Sequence, residues 1–183
     1  MKNKIGCFIG HRKIEKTEEL EKEIKDHIEN LIVKENVKTF LFGSKSDFDF
    51  LCHSIVTDLK EKYPEIKRIA YPCRSESVIL ESEREKWEKI YSHFEKREVH
   101  LLGVEEEFEH KTKYVSGKAS YIERNQAMID DSDYCLFYYN EKYAPPQKRE
   151  FGGFRSYRPK SGTAIAYKYA KQKKKIIKNF YKG

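Results

Sequence analysis

The sequence predicts an α/β fold with a mostly parallel sheet, and three observations carry that reading. Short β-branched or aromatic runs alternate with amphipathic stretches of about 10 to 18 residues, the scale of βαβ units. The apolar positions of those stretches repeat at helical spacing. No internal repeat and no linker divides the 183 residues, so one domain over 1–183 is expected. Crossovers between its strands should be right-handed.

The elements follow in order. Lys4–Ile9 (KIGCFI) is a strand, after which Thr17 offers an N-cap to a helix with Leu20, Ile24, Ile28, Leu31 and Ile32 on one face. Val37–Phe42 (VKTFLF) is the second strand, ended by Gly43, and Ser46 or Asp47 caps a helix with Phe50, Leu51, Ile55, Val56 and Leu59 as its apolar face. Pro64 stops that helix, and Ile66–Tyr71 (IKRIAY) is the third strand. Trp87, Ile90, Tyr91 and Phe94 mark a charged helix and Val99–Val104 a fourth, weaker strand. A helix with Ile122, Met128 and Ile129 leads into the strand Tyr134–Tyr139, and a helix over Gly162–Lys171 precedes a last strand, Ile176–Tyr181.

Composition narrows the class. Charged residues make up 37% of the chain and aromatic residues 14%, the latter supplying a core that the 38% apolar content alone does not suggest. No apolar run approaches the roughly 20 residues of a membrane helix, and the first dozen residues lack the features of a signal peptide. Cys7, Cys52, Cys73 and Cys135 are dispersed, which fits reduced, buried thiols in the cytoplasm. The six histidines show no ligand spacing, so no metal site is expected. The net charge of +7 is unevenly spread: residues 141–183 carry +11 and residues 1–140 carry −4. Such asymmetry points to an anionic partner, against the alternative of a solvated lysine-rich surface.

In parallel α/β sheets ligands bind beyond the carboxyl ends of the strands. The residues there are Gly10, His11 and Arg12; Gly43, Ser44, Lys45 and Ser46, then Asp47 and Asp49; Pro72, Cys73 and Arg74; and Ser161, Gly162 and Thr163. Ser161-Gly162-Thr163 opens a helix, where backbone N–H groups and the helix dipole favour a phosphate, with Lys160 adjacent. A plain N-cap is the competing reading of Ser161. Residues 140–160 form a long segment without helix or strand pattern, rich in aromatic and arginine residues suited to a base and a phosphate. No GxGxxG, GxxxxGK[ST] or GxSxG pattern occurs, which disfavours a standard dinucleotide fold, a P-loop NTPase and an α/β-hydrolase.

The run Cys7–Arg12 (CFIGHR), with Gly43–Asp49 (GSKSDFD), Leu59–Ile66, Tyr121–Asp133 (YIERNQAMIDDSD), Lys160–Ala164 and Tyr169–Lys171, resembles the SLOG superfamily. These are Rossmann-like domains related to the DNA-processing protein DprA and the cytokinin-activating LOG enzymes. Within the superfamily the chain is most similar to the small YpsA/YoqJ-like proteins of bacteria and phages. The resemblance implies a Rossmann-like three-layer sandwich binding a nucleotide, an NAD-derived signal or nucleic acid at the strand C-termini. It carries Arg124 and Asn125 into the pocket, whereas the glutamate that LOG enzymes place three residues after Gly-Thr is Ala166 here. Asp49 matches the acidic position of the second loop, while the glycine usual two places earlier is Asp47.

Three functions are expected in order. The first is non-catalytic or weakly catalytic binding of a nucleotide or ADP-ribose-type ligand, without a required cofactor. Phosphate would sit on Ser161, Gly162 and Thr163 with Arg12 and Arg124 as counter-charges; Gly10, Gly43 and Ser44 would give backbone access, and Asp49 would accept from ribose hydroxyls. The second is N-glycosidic cleavage or transfer on nucleoside phosphates using Asp49 or Arg124, with LOG-type hydrolysis disfavoured by Ala166. The third is nucleic-acid binding through the basic final third. Pairing of two subunits through exposed apolar faces is a further expectation.

Overall fold

The computed structural model describes residues 3–43, 46–74, 76, 78–91, 102–108, 113–114, 117–145, 148–149, 156–157 and 160–183. The chain runs through β1 (Lys4–Gly10), α1 (Glu18–Glu35), β2 (Val37–Phe42), α2 (Asp47–Lys62), β3 (Lys67–Ala70), β4 (Ile79–Leu80), a short 3-10 turn (Glu81–Glu83) and α3 (Arg84–Tyr91). It continues through β5 (Leu102–Val104), β6 (Glu106–Glu107), α4 (Gly117–Asp131), β7 (Tyr134–Tyr138), β8 (Lys148–Arg149), β9 (Ser156–Tyr157), α5 (Gly162–Gln172) and β10 (Ile176–Asn179).

Six strands form one sheet in the order β10-β7-β1-β2-β3-β6, every pairing parallel. Because β1, β2 and β7 are covered on both faces, their residues are apolar in both registers. Phe8, Phe40, Phe42 and Leu136 face α1 and α2, where Phe8 stacks on Phe42 at 5.0 Å. Cys7, Ile9, Leu41, Cys135 and Phe137 face α4 and α5, meeting Met128, Ile129, Ala166 and Ala170. This is the parallel α/β fold expected from the alternation and the three-layer sandwich implied by the resemblance, each buried large side chain contributing about 1.5–3 kcal/mol. No helix among the described residues is long and apolar enough to cross a membrane.

Local signals set the helix ends. Thr17 Oγ1 accepts from the Leu20 N–H at 3.1 Å, and Asn36 closes α1 in the left-handed region that asparagine tolerates. Ser46 caps α2 and Ser161 caps α5, each accepting from the N–H three residues on.

Two expectations need correction. The fourth strand of the main sheet is Glu106–Glu107, whereas Leu102–Val104 pairs with Ile79–Leu80 in a separate two-stranded sheet. Both glutamates are exposed at the sheet edge, where backbone pairing suffices and no apolar pattern announces a strand. The segment 140–160 is not without strand: Lys148–Arg149 pairs antiparallel with Ser156–Tyr157. Residues 150–155, with the aromatic and arginine side chains expected there, lie outside the described residues, as do Val99, His100 and Leu101.

A buried ion network fastens the β5–β6 region to α2. Arg68 on β3 donates to Glu105 at 2.6 and 3.2 Å and to Thr57 Oγ1 at 2.8 Å. Burial first, and then the charge of Arg68, hold the His53 imidazole down at about 4.

Candidate functional site

The chain moves outward from β1 through β2, β3 and β6, then returns to the other side of β1 as β7 and β10. Strand order therefore reverses between β1 and β7. Helices in βαβ units run antiparallel to the strands, so the first turns of α2, α4 and α5 converge on the carboxyl edge of the sheet. Their exposed N–H groups give that edge a positive dipole field.

Gly10 ends β1 where a side chain has no room: a Cβ there would lie 2.4 Å from Phe48 Cβ. Glycine thus lets the first turn of α2 pack directly on β1. His11 follows, buried at the reversal point, and its Nε2 accepts the Asn140 N–H at 2.9 Å. Its ring lies 4.2 Å from the Tyr143 ring. Burial holds the imidazole below its ordinary value, so it serves as a neutral acceptor that pins the turn after β7. Arg12 is exposed, and its carbonyl accepts the Asp47 N–H at 2.9 Å.

The centre of the edge is a buried guanidinium between two carboxylates. Arg124, 5% exposed on α4, lies under Gly43, whose Cβ would sit 2.9 Å from the guanidinium carbon. Its Nε donates to Asn125 Oδ1 at 3.2 Å, and its Nη1 lies 3.7 Å from Glu76 Oε2. Tyr121 offers its ring face at 5.1 Å. Glu76 Oε2 also accepts the Cys73 N–H at 2.9 Å. Asp49 Oδ2 accepts from Ser46 Oγ at 2.9 Å, while Ser46 Oγ accepts the Asp49 N–H. Burial pushes the Asp49 carboxyl up to about 6, against the pull of Arg124, the Ser46 hydroxyl and the Gly43 N–H, with Glu76 adding to the push.

Three buried polar atoms in this neighbourhood make no hydrogen bond among the described residues: Asp49 Oδ1, Glu76 Oε1 and Ser120 Oγ, the last one turn before Arg124 on the same face of α4. Native interiors leave few such atoms, each costing about 1–3 kcal/mol. Sequence reading did not single out Glu76. It follows Pro72-Cys73-Arg74 beyond β3, but nothing in its local sequence announces burial; only the turn closed by the Glu76 N–H on the Cys73 carbonyl folds it inward.

At the α5 end, Thr163 is buried, and a Cβ on Gly162 would meet nothing within 4 Å among the described residues. Lys118 Nζ donates to the Lys160 carbonyl, tying the first turns of α4 and α5 together. Ala166 is sealed in the apolar cluster with Met128 and Phe137. Among the expected site residues, Gly43, Asp49, Arg124 and Asn125 come together, Gly10 and His11 border the strand reversal, and Ser161, Gly162 and Thr163 form a separate edge. Ser44 lies outside the described residues.

A family model for YpsA, described as the YspA SLOG family, matches residues 3–167. No curated protein matches the sequence. Among solved structures, DNA processing protein A from Helicobacter pylori, described by its single-stranded DNA binding mode, superposes with a TM-score of 0.51 at 14% identity. The alignment covers 95% of this chain and 63% of that one, so the likeness is one of fold.

Proposed function

The chain belongs to the YspA SLOG family, and from that premise we propose that it binds a small nucleotide-type ligand at the carboxyl edge of the sheet, as a sensor or sequestering domain. The observation that carries this reading is the pair of carboxylate oxygens, Asp49 Oδ1 and Glu76 Oε1, that make no hydrogen bond among the described residues, beside one buried guanidinium. A ribose hydroxyl or a base amino group supplies the donors those oxygens lack. Arg124 is already balanced by carboxylates, so it is a poor counter-charge for phosphate. The phosphate end falls instead to Ser161, Gly162 and Thr163 at the start of α5, with exposed Arg12 and Lys160 adding positive charge. The buried Ala166 favours binding over N-glycosidic cleavage, because an oxocarbenium-like centre needs a nearby carboxylate.

Mass spectrometry of ligand released from the purified protein, with thermal melts in AMP, ADP-ribose and cyclic ADP-ribose, tests the proposal. Ligand at about 100 times its Kd adds about 2.7 kcal/mol, which raises the Tm of a chain this size by roughly 5–10 °C. Glu76→Gln, which swaps an acceptor for a donor, should abolish the shift. No released ligand and no shift with any of the three refutes the reading.

A second reading, binding of nucleic acid, is favoured by the +11 carried by residues 141–183. It predicts affinity that falls steeply with salt.

A further inference from the structure

We propose that the groove between residues 139–145 and the outer face of α5 is a track for single-stranded nucleic acid, with bases stacked on tyrosines and phosphates held by lysines. This rests on the nucleic-acid reading above and gives it a site separate from the Asp49–Arg124–Glu76 cluster.

The groove encloses about 1100 Å³. Pockets for single small ligands run to roughly 300–1,000 Å³, so there is room for more than one nucleotide. Tyr143, which is 38% exposed, offers an aromatic ring at its rim, while Tyr139 and Tyr167, whose rings lie 4.6 Å apart at 30°, pack on each other in its wall. The His11 ring behind Tyr143 and the hydrogen bond to Asn140 hold that part of the wall in place. Flat faces fixed in this way suit bases of any sequence, since every base has a π face.

Charge marks the same groove. Lys160 and Lys168 are exposed along it, and Lys171 Nζ lies 4.7 Å over the Tyr167 ring. Three other C-terminal lysines are differently placed. Lys173 pairs with Asp130 at 3.1 Å, Lys178 with Glu23 at 3.0 Å and Lys182 with Glu23 at 2.7 Å. No described acid pairs with Lys160, Lys168 or Lys171, and Glu141 is the one acid among the residues described along the groove. An acidic peptide would use these lysines but leave the tyrosine faces idle.

Fluorescence anisotropy of the full chain with labelled oligothymidylate about ten nucleotides long, within the site sizes common for single strands, tests the assignment. Three neutralised phosphates predict a log–log salt slope of about −2. Tyr143→Ala should weaken binding about ten-fold, the loss of one stacked base. The double change Lys168→Gln and Lys171→Gln should weaken binding and cut the slope by about two thirds, in proportion to the phosphates lost. An RNA strand should show the same dependence on these residues. Oligonucleotide binding untouched by either variant overturns the groove while leaving the nucleic-acid reading intact; no binding by the unmodified chain overturns both. Equal displacement by polyglutamate of matched charge also overturns the proposal, because stacking would then contribute nothing.

Discussion

Replacing Asp49 by asparagine should stabilise the protein at neutral pH and leave it nearly unchanged in acid. The ordinary carboxyl value of 3.8 rises to about 6 at this position, chiefly through burial. The difference, about two pH units, corresponds to about 3 kcal/mol. The folded chain holds this proton more tightly than the unfolded one, so the penalty is absent below about pH 4, grows through the interval to about pH 6 and is complete above it. Asparagine keeps an oxygen able to accept from Ser46 Oγ but carries no charge to desolvate. Urea unfolding of both proteins from about pH 4 to pH 7 should therefore show a difference that opens from near zero to about 3 kcal/mol. Taking the difference removes Glu23, Glu29, Glu35 and Glu65, whose carboxyls are held below their ordinary value and push stability the other way. A variant less stable at pH 7, or a gap that does not vary with pH, refutes the reasoning. A carboxylate kept at a cost to stability is what a binding site retains for use.

Gly10→Ala sets a methyl 2.4 Å from Phe48 and should cost about 1–3 kcal/mol or more, seen as a lower thermal midpoint. His11→Phe keeps a ring against Tyr143 but removes the acceptor of the Asn140 N–H, costing about 1–3 kcal/mol and speeding hydrogen exchange at Asn140. In the unmodified protein the same contact should weaken as pH falls below the ordinary histidine range, because burial makes the folded state favour the neutral ring. Arg68→Met leaves Glu105 with Lys60 at 3.5 Å in place of its forked partner and should cost about 1–3 kcal/mol in urea unfolding, and Arg68→Lys should recover only part of it because an ammonium has no fork to match the carboxylate.

The sequence by itself determined the layers. Apolar residues at helical spacing and the runs KIGCFI, VKTFLF and YCLFYY specify which elements form and that both faces of β1, β2 and β7 are covered. That information is local, because burial on two faces leaves its mark on every residue of a strand. Glu106–Glu107 escaped it, since an edge strand makes its pairing with backbone alone. The candidate site was legible in half. Gly43, Asp49 and Arg124 could be named from position and resemblance, yet their relation could not: nothing in the sequence sets Arg124 beside Glu76 and under Gly43, where the fold places it. Only tertiary structure decides which charges a buried group already has as neighbours, because in a low-dielectric interior partners from distant parts of the chain fix what remains to be satisfied. The same holds for the basic end of the chain. Its +11 was countable from the sequence, but three dimensions separate the lysines engaged by Asp130 and Glu23 from those that line a tyrosine groove.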